Sequence, residues 1–214
     1  MDKFIAAYEG KAADDLFICR TNGVAYQIDR SFVIDYGGEY YDKCLSYEDQ
    51  EIALKINDGR INLVSDHFGS GRVLDIGIGS GEFVKKRPNT FGFDVNPVAV
   101  EWLWAKNLYG TPDQFSVFSF WDVLEHVETP DEYLRHVPIH GKLFASLPIF
   151  DDLSDIPYSR HYRPGEHLYY WTDVGFQSWM AAHGFKCLEK RDFETQAGRD
   201  SILSYAFKRI IRTC

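Results

Sequence analysis

Cysteine is sparse in this chain, and what there is lies far apart. Cys19, Cys44, Cys187 and Cys214 include no CxxC pair, which excludes both a disulfide framework and a zinc box. Reduced thiols in a cytoplasmic protein are expected. Long apolar runs are missing too. None approaches the roughly 20 residues that span a bilayer, so no membrane association is expected. The opening MDKFIAAYEGKAADD has acids too early and an apolar stretch too short for a secretory signal. Positive charge is in deficit: 23 Lys and Arg stand against 32 Asp and Glu, a net charge of −9. A duplex-binding surface normally shows as excess base, so nucleic acid is not an expected partner. No internal repeat or low-complexity tract is present.

What remains is ordinary material for one core: 214 residues, 45% of them apolar. Residues 1–68 read as an N-terminal cover segment and 69–214 as the body of a single domain. In the first part, FICRTNGVAYQIDRSFVIDYGGEYY suggests two or three short strands, with turns at Asn22-Gly23 and Gly37-Gly38. Residues 47–68 place Ile52, Leu54, Ile56, Leu63, Val64 and Phe68 near helical spacing, with Asp58-Gly59 a candidate break. From Arg72 onward, strand and helix alternate. RVLDIG, TFGFD, QFSVFSFWDV and GKLFASLP read as strands. GEFVKKR, the stretch from Pro97 to about Asn107, a stretch near Asp131 to Val137, and TDVGFQSWMAAHG read as helices. FKCLEKRDF and SILSYAFKRI close the chain as a strand pair. This order predicts a Rossmann-like, doubly wound α/β domain of three layers: a mostly parallel sheet between helices, with antiparallel strands at its C-terminal edge. Residues 148–172 carry neither period, and a loop of that length is expected to work as a lid.

The strand RVLDIG runs straight into Gly77, Gly79 and Gly81. Each glycine costs backbone entropy, and three at alternate positions suggest that something approaches the main chain more closely than a Cβ would permit. In a doubly wound sheet, ligands bind outside the carboxyl ends of the strands, where this turn falls. A dinucleotide fingerprint, G-x-G-x-x-G, would need its third glycine where Glu82 stands. Asp75, just ahead of the turn, would repel a pyrophosphate and suits a cationic ligand with an amino group.

The pattern Asp75-x-Gly77-x-Gly79-x-Gly81, followed by an acid ending the next strand, Asp94 in FGFDVNP, resembles the class I S-adenosylmethionine-dependent methyltransferases. FSFWDVLEHVETPDEYL resembles the fourth-strand motif of their small-molecule, sugar and quinone branch, and EHLYYWT resembles that branch's lid element. The resemblance covers about residues 72–209. It implies S-adenosylmethionine as cofactor and S-adenosylhomocysteine as product. It places the glycine turn around the methionine and ribose, Asp75 near the methionine end, and Asp94 on the ribose hydroxyls with Val95 beside it. An ionised carboxylate only accepts hydrogen bonds, which matches a diol. Two departures stand out. Ser116 replaces the usual acid after Phe115, and LYGTPD is too short for a full strand and helix unit, so the strand that carries an adenine-contacting acid is expected to be shrunken or missing.

The acceptor is expected to be a small molecule or saccharide methylated at oxygen; the D/N-P-P-Y/F motif of enzymes that methylate base amines is absent. His126, a few residues past its strand, is a candidate general base, since histidine suits a hydroxyl at neutral pH; its plainer reading is a loop-capping histidine. Glu125 is expected to fix the loop. Trp121 and Asp122 are expected to line the cofactor site, or else to be core and cap. In the lid, His161 and His167 are further candidate bases, and Tyr162, Arg163, Glu166 and Tyr169 candidate acceptor contacts. His161, His167 and Glu166 offer no checkable ligand geometry on an irregular loop, so no metal site is assigned. Tyr109 offers either a stacking face or edge packing, and Arg199 and Asp200 form a turn pair that could reach the same mouth. A rival reading is a degenerate chain that binds the cofactor but serves as a partner or scaffold.

Overall fold

The structure, a computed structural model, describes residues 16–28 and 51–211. The turn expected at Gly37-Gly38, Cys44 and Cys214 lie outside these. A hairpin comes first, β1 (Leu16–Cys19) and β2 (Val24–Gln27). Gly23 turns it with φ +61°, a conformation that glycine adopts without a Cβ penalty. Helix α1 (Glu51–Phe68) runs unbroken through Gly59, whose missing side chain makes room for the Phe193 ring. Ile52 and Leu54 are exposed; Ile56, Leu63 and Val64 are the buried apolar residues.

The alternating part follows: β3 (Val73–Ile76), α2 (Glu82–Lys86), β4 (Thr90–Phe93), α3 (Pro97–Ala105), β5 (Val117–Trp121), α4 (Pro130–Leu134), β6 (Lys142–Phe150), β7 (Tyr169–Thr172), α5 (Asp173–Ala182), β8 (Phe185–Arg191), α6 (Phe193–Gln196) and β9 (Ile202–Arg209). Asn96 caps α3 by accepting the Val98 N–H, with Pro97 in the first turn, and Thr172 caps α5 by accepting the Gly175 N–H. Strands β4, β3, β5 and β6 pair in parallel. β9 lies antiparallel on the other side of β6 and pairs antiparallel with β8. The shrunken strand is reduced to one bridge, Gly92 to Tyr109.

Two expectations change. Residues 148–172 are not irregular throughout: β6 runs on to Phe150, a 3-10 helix occupies Leu153–Tyr158, and Tyr169–Thr172 form β7. β7 pairs with the end of β6 on one side and with β2 on the other. Residues 16–28 therefore extend the sheet rather than cover it.

Period-two alternation along the strands separates two faces. Leu74, Ile76, Phe118, Phe120, Leu143, Ala145 and Leu147 pack with Leu134, Phe176 and Met180 on one side. Val73, Val117, Trp121, Phe144 and Ala206 pack with Leu63, Val64 and Phe83 on the other. That second face also carries a polar row, because Asp75, Ser119, Ser146 and Ser204 occupy the alternate positions of β3, β5, β6 and β9. Among the described residues no helix is long and apolar enough to cross a membrane.

Candidate active site

The glycine turn leaves β3 with Gly77, Gly79 and Gly81 all at positive φ, +71°, +54° and +79°. Their reasons differ. A Cβ on Gly77 would stand 2.7 Å from Val123 Cγ2, and one on Gly81 would stand 3.1 Å from the Trp102 ring. A Cβ on Gly79 would meet nothing within 4 Å. The close approach inferred from three glycines thus reduces to one bare stretch of main chain at Gly79, flanked by two glycines that make room for the protein's own side chains. Asp94 lies across from it, past the end of β4. Its Oδ2 accepts the Ile78 N–H at 2.8 Å and its Oδ1 the Asn96 N–H at 2.8 Å, which orients the carboxylate beside the turn. Burial pushes its pKa up while these N–H donors pull it down. Val95 next to it is 69% exposed.

Asp75 lies beneath the turn, 1% exposed, with Oδ1 accepting the Ser119 hydroxyl at 2.6 Å. Burial pushes its pKa up to about 8, the Ser119 bond and the Arg60 charge opposing. It is the inner end of the polar row, and the row's outer end is ionic. Arg60 of α1 donates to both oxygens of Glu194, at 2.9 and 3.0 Å, and to Asp122 Oδ2 at 2.8 Å. Arg199 grips Asp122 through two bonds of 2.8 and 2.9 Å and also reaches Glu194. Ser146 and Ser204 complete the set. The two arginines hold the Asp122 carboxyl well below the usual carboxylate range. Arg60 also covers Trp121, 5.1 Å from the ring centroid, whose edge contact with Phe83 is 5.3 Å.

Three residues beyond Asp122, the same loop presents Glu125 and His126 to the lid. The Glu125 carbonyl accepts the Leu168 and Tyr169 N–H groups, at 2.6 and 3.2 Å, and His126 Nδ1 donates to the Glu166 carbonyl at 2.8 Å. These bonds bring His167 edge-on to His126, ring centroids 4.6 Å apart. Burial raises the Glu125 carboxyl well above its ordinary range and lowers both imidazoles, His167 to about 2. Both histidines are neutral near pH 7. Glu125 Oε2 and His167 Nδ1 are buried with no hydrogen-bond partner.

A family model described as a methyltransferase domain matches residues 49–190, more than half of the chain. The chain belongs to this family. Solved structures carry the same fold at low identity. One is a chain of the complex that contains the Haloferax volcanii Trm112 methyltransferase activator (TM-score 0.61, 12% identity, covering 82% of this chain and 96% of that one). A second is the N-methyltransferase NodS of Bradyrhizobium japonicum, in complex with S-adenosylhomocysteine (0.55, 13%, 85% and 99%). A third is the Burkholderia thailandensis 1,6-didemethyltoxoflavin-N1-methyltransferase (0.54, 12%, 81% and 84%). No curated protein matches.

S-adenosylmethionine is the cofactor of these class I methyltransferases, and the residues present fit it. Gly79 leaves the main chain bare, Asp94 offers fixed acceptor oxygens beside it, and both lie at carboxyl ends of parallel strands. The other candidate residues of the methyltransferase make the following contacts. The Asp122 carboxylate is spent on two arginines, and Trp121 is 6% exposed beneath Arg60. His161 turns away from the histidine pair: its Nε2 bonds the Asp200 carbonyl at 2.8 Å, so Asp200 does reach the lid. Arg163 pairs with Glu166 at 2.9 Å. Tyr169 stacks on Trp171 and donates to the Glu128 carbonyl, Tyr162 packs on Tyr170, and Tyr109 stacks on Trp104. Arg60 and Glu194 drew no attention in the sequence. A lone arginine on a helix and a glutamate in a short connector give no local signal.

Proposed function

We propose that the methyltransferase transfers a methyl group to an oxygen of a small molecule or glycan unit. The observation that carries this reading is the bare main chain at Gly79 with the Asp94 carboxylate beside it. S-adenosylmethionine, when bound, supplies an activated methyl on a sulfonium with a good leaving group. This chain's own work is to hold the nucleoside and place the acceptor. Asp94 accepts from the ribose diol, Val95 offers an apolar face to the base, and Asp75 lies under the methionine end. Trp121 and Asp122 act as positioning residues there, fixed by Arg60 and Arg199.

The acceptor end is the loop after β5 together with the lid. A hydroxyl must give up its proton as it is methylated. Glu125, His126 and His167 supply a carboxylate and neutral imidazoles, the groups that handle such an oxygen. Arg163 and Glu166 at the outer edge of the lid are positioned to meet polar parts of an acceptor. His161, bonded to Asp200, supports the lid instead of the chemistry. The small-molecule acceptor named for the toxoflavin enzyme, 1,6-didemethyltoxoflavin, supports the size of the acceptor; the oxygen rests on the Glu125 cluster.

Isothermal titration with S-adenosylmethionine, S-adenosylhomocysteine and NAD tests the cofactor, with binding of the first two expected. A panel of hydroxyl-bearing acceptors with a labelled methyl donor then separates an enzyme from a scaffold. Binding without transfer to any acceptor favours the scaffold; binding of NAD alone overturns the reading.

A further inference from the structure

The Glu125 cluster contains an imbalance that methyl transfer does not by itself explain. Oε2 of Glu125 and Nδ1 of His167 are both buried, on residues 1% and 3% exposed, and neither has a partner. Buried polar atoms are nearly always satisfied, and a pair of orphans at one spot needs a reason. The other two such atoms among the described residues, Trp121 Nε1 and Trp171 Nε1, are single indole donors, whereas these two share one cluster. One ligand atom each from Glu125, His126 and His167 lies within 4.8 Å of the others, the one such group among the described residues.

A water could satisfy two orphans. Three further features favour a cation. The donor set is two imidazole nitrogens and one carboxyl oxygen, which matches divalent transition metals and suits magnesium or calcium poorly. His126 donates its Nδ1–H to the Glu166 carbonyl; this directs the other nitrogen's lone pair toward Glu125, whose Oε1 lies 3.9 Å away. A metal-bound histidine is typically held by such a bond on its far nitrogen. Finally, the Leu168 and Tyr169 N–H groups clamp the Glu125 backbone to the segment carrying His167, so the two loops are fixed together before any ion arrives. Ligand atoms around a tetrahedral ion stand about 3.3 Å apart, so loading draws the three side chains slightly inward.

We propose that Glu125, His126 and His167 form a binding site for one divalent transition-metal ion of the zinc, cobalt and nickel type. Three protein ligands leave a coordination position open. Its task rests on the function proposed above: the open position takes the acceptor hydroxyl, whose proton the ion acidifies for release to solvent, and the oxygen then takes the methyl group as the neutral thioether S-adenosylhomocysteine leaves. Binding of the ion itself does not depend on that reading.

The test uses the full chain, tag removed and stripped with a chelator. Titrated with Co2+, it is expected to take up one equivalent with visible d–d absorption, and Zn2+ is expected to displace it. Glu125→Gln and His167→Gln should each weaken uptake at least tenfold, whereas His161→Gln should leave it unchanged. In the wild-type protein, Co2+ should shift the imidazole resonances of His126 and His167 and spare those of His67 and His183; this reading holds even if a variant fails to fold. No stoichiometric uptake by the wild type overturns the proposal, and so does uptake with shifts at other histidines or undiminished in folded Glu125→Gln and His167→Gln. Titration of the same sample with S-adenosylmethionine reads the cofactor separately, so an ion bound without the nucleoside would sink the methyl-transfer reading alone.

Discussion

The loop after β5 carries two polar clusters three residues apart, and they are opposite in kind. At Asp122 every charge has its counterpart: Arg60 and Arg199 face Asp122 and Glu194, with bonds to Ser146 and Ser204 filling the remaining positions. At Glu125 the buried atoms lack partners within the chain. The first group is complete as it stands, so it fastens α1, α6 and the β9 turn to the sheet. The second is complete only with something added. A satisfied network rigidifies a fold, and an unsatisfied one marks where a ligand is awaited.

The largest effect should come from breaking the complete group. Glu194 is fully buried, and Glu194→Gln leaves two arginines facing one carboxylate, a loss of about 3–5 kcal/mol in stability. Glu125→Gln should cost far less in the absence of metal, because its Oε2 has no hydrogen-bond partner to lose. Denaturant unfolding of both variants compares them directly. Equal losses would mean that the two groups are alike after all. Asp94→Ala comes next, with one or two acceptor bonds lost, on the order of 1–3 kcal/mol of cofactor affinity, read by titration calorimetry. Its effect should fall on the nucleoside and spare metal uptake.

A subtler contrast lies in pH. His167 is held to about 2 by burial against an ordinary 6.5. Below 6.5 the unfolded chain takes up a proton there and the folded chain does not, so stability is lost as pH falls from 6.5 toward 2. His167→Gln should flatten that slope between pH 6.5 and 4 in thermal unfolding curves. No residue of the complete group should do the same, and a slope unchanged in the variant would mean that the imidazole is already charged in the fold.

Much of this architecture was legible in the sequence, for reasons that residues make plain. RVLDIG and FSFW read as strands because each is a short, mainly apolar run, broken by one polar residue, Asp75 or Ser119, and Pro97 and Thr172 announce their helices. The glycine turn and Asp94 were legible because backbone conformation and acceptor chemistry restrict the residue type. β7 was not. YYWT has no alternation, and it becomes a strand because β2 and the overrun of β6 supply its partners on both sides. Arg60 and Glu194, 134 residues apart, look like any solvated charges until the fold buries them together. His161 and His167 looked equivalent in the lid; only the position of Asp200 separates them.

The smallest expected signal is a single proton, at the inner end of the polar row. Asp75 lies under the glycine turn with its pKa raised to about 8, so at pH 7 it is mostly protonated. A folded pKa above the unfolded value of 3.8 means that its contribution to stability is present at low pH and is lost as pH rises toward 8. A ligand bringing an ammonium near the turn favours the carboxylate and lowers that pKa. Binding of S-adenosylmethionine at pH 7 should then release close to one proton, and affinity should rise from pH 6 to pH 8. Calorimetry in two buffers of different ionisation enthalpy counts that proton. Asp75→Asn should abolish the release while Ser119 keeps a hydrogen-bond partner. If the wild type releases none, the amino group does not approach Asp75, and the polar row of β3, β5, β6 and β9 belongs wholly to the complete, structural group.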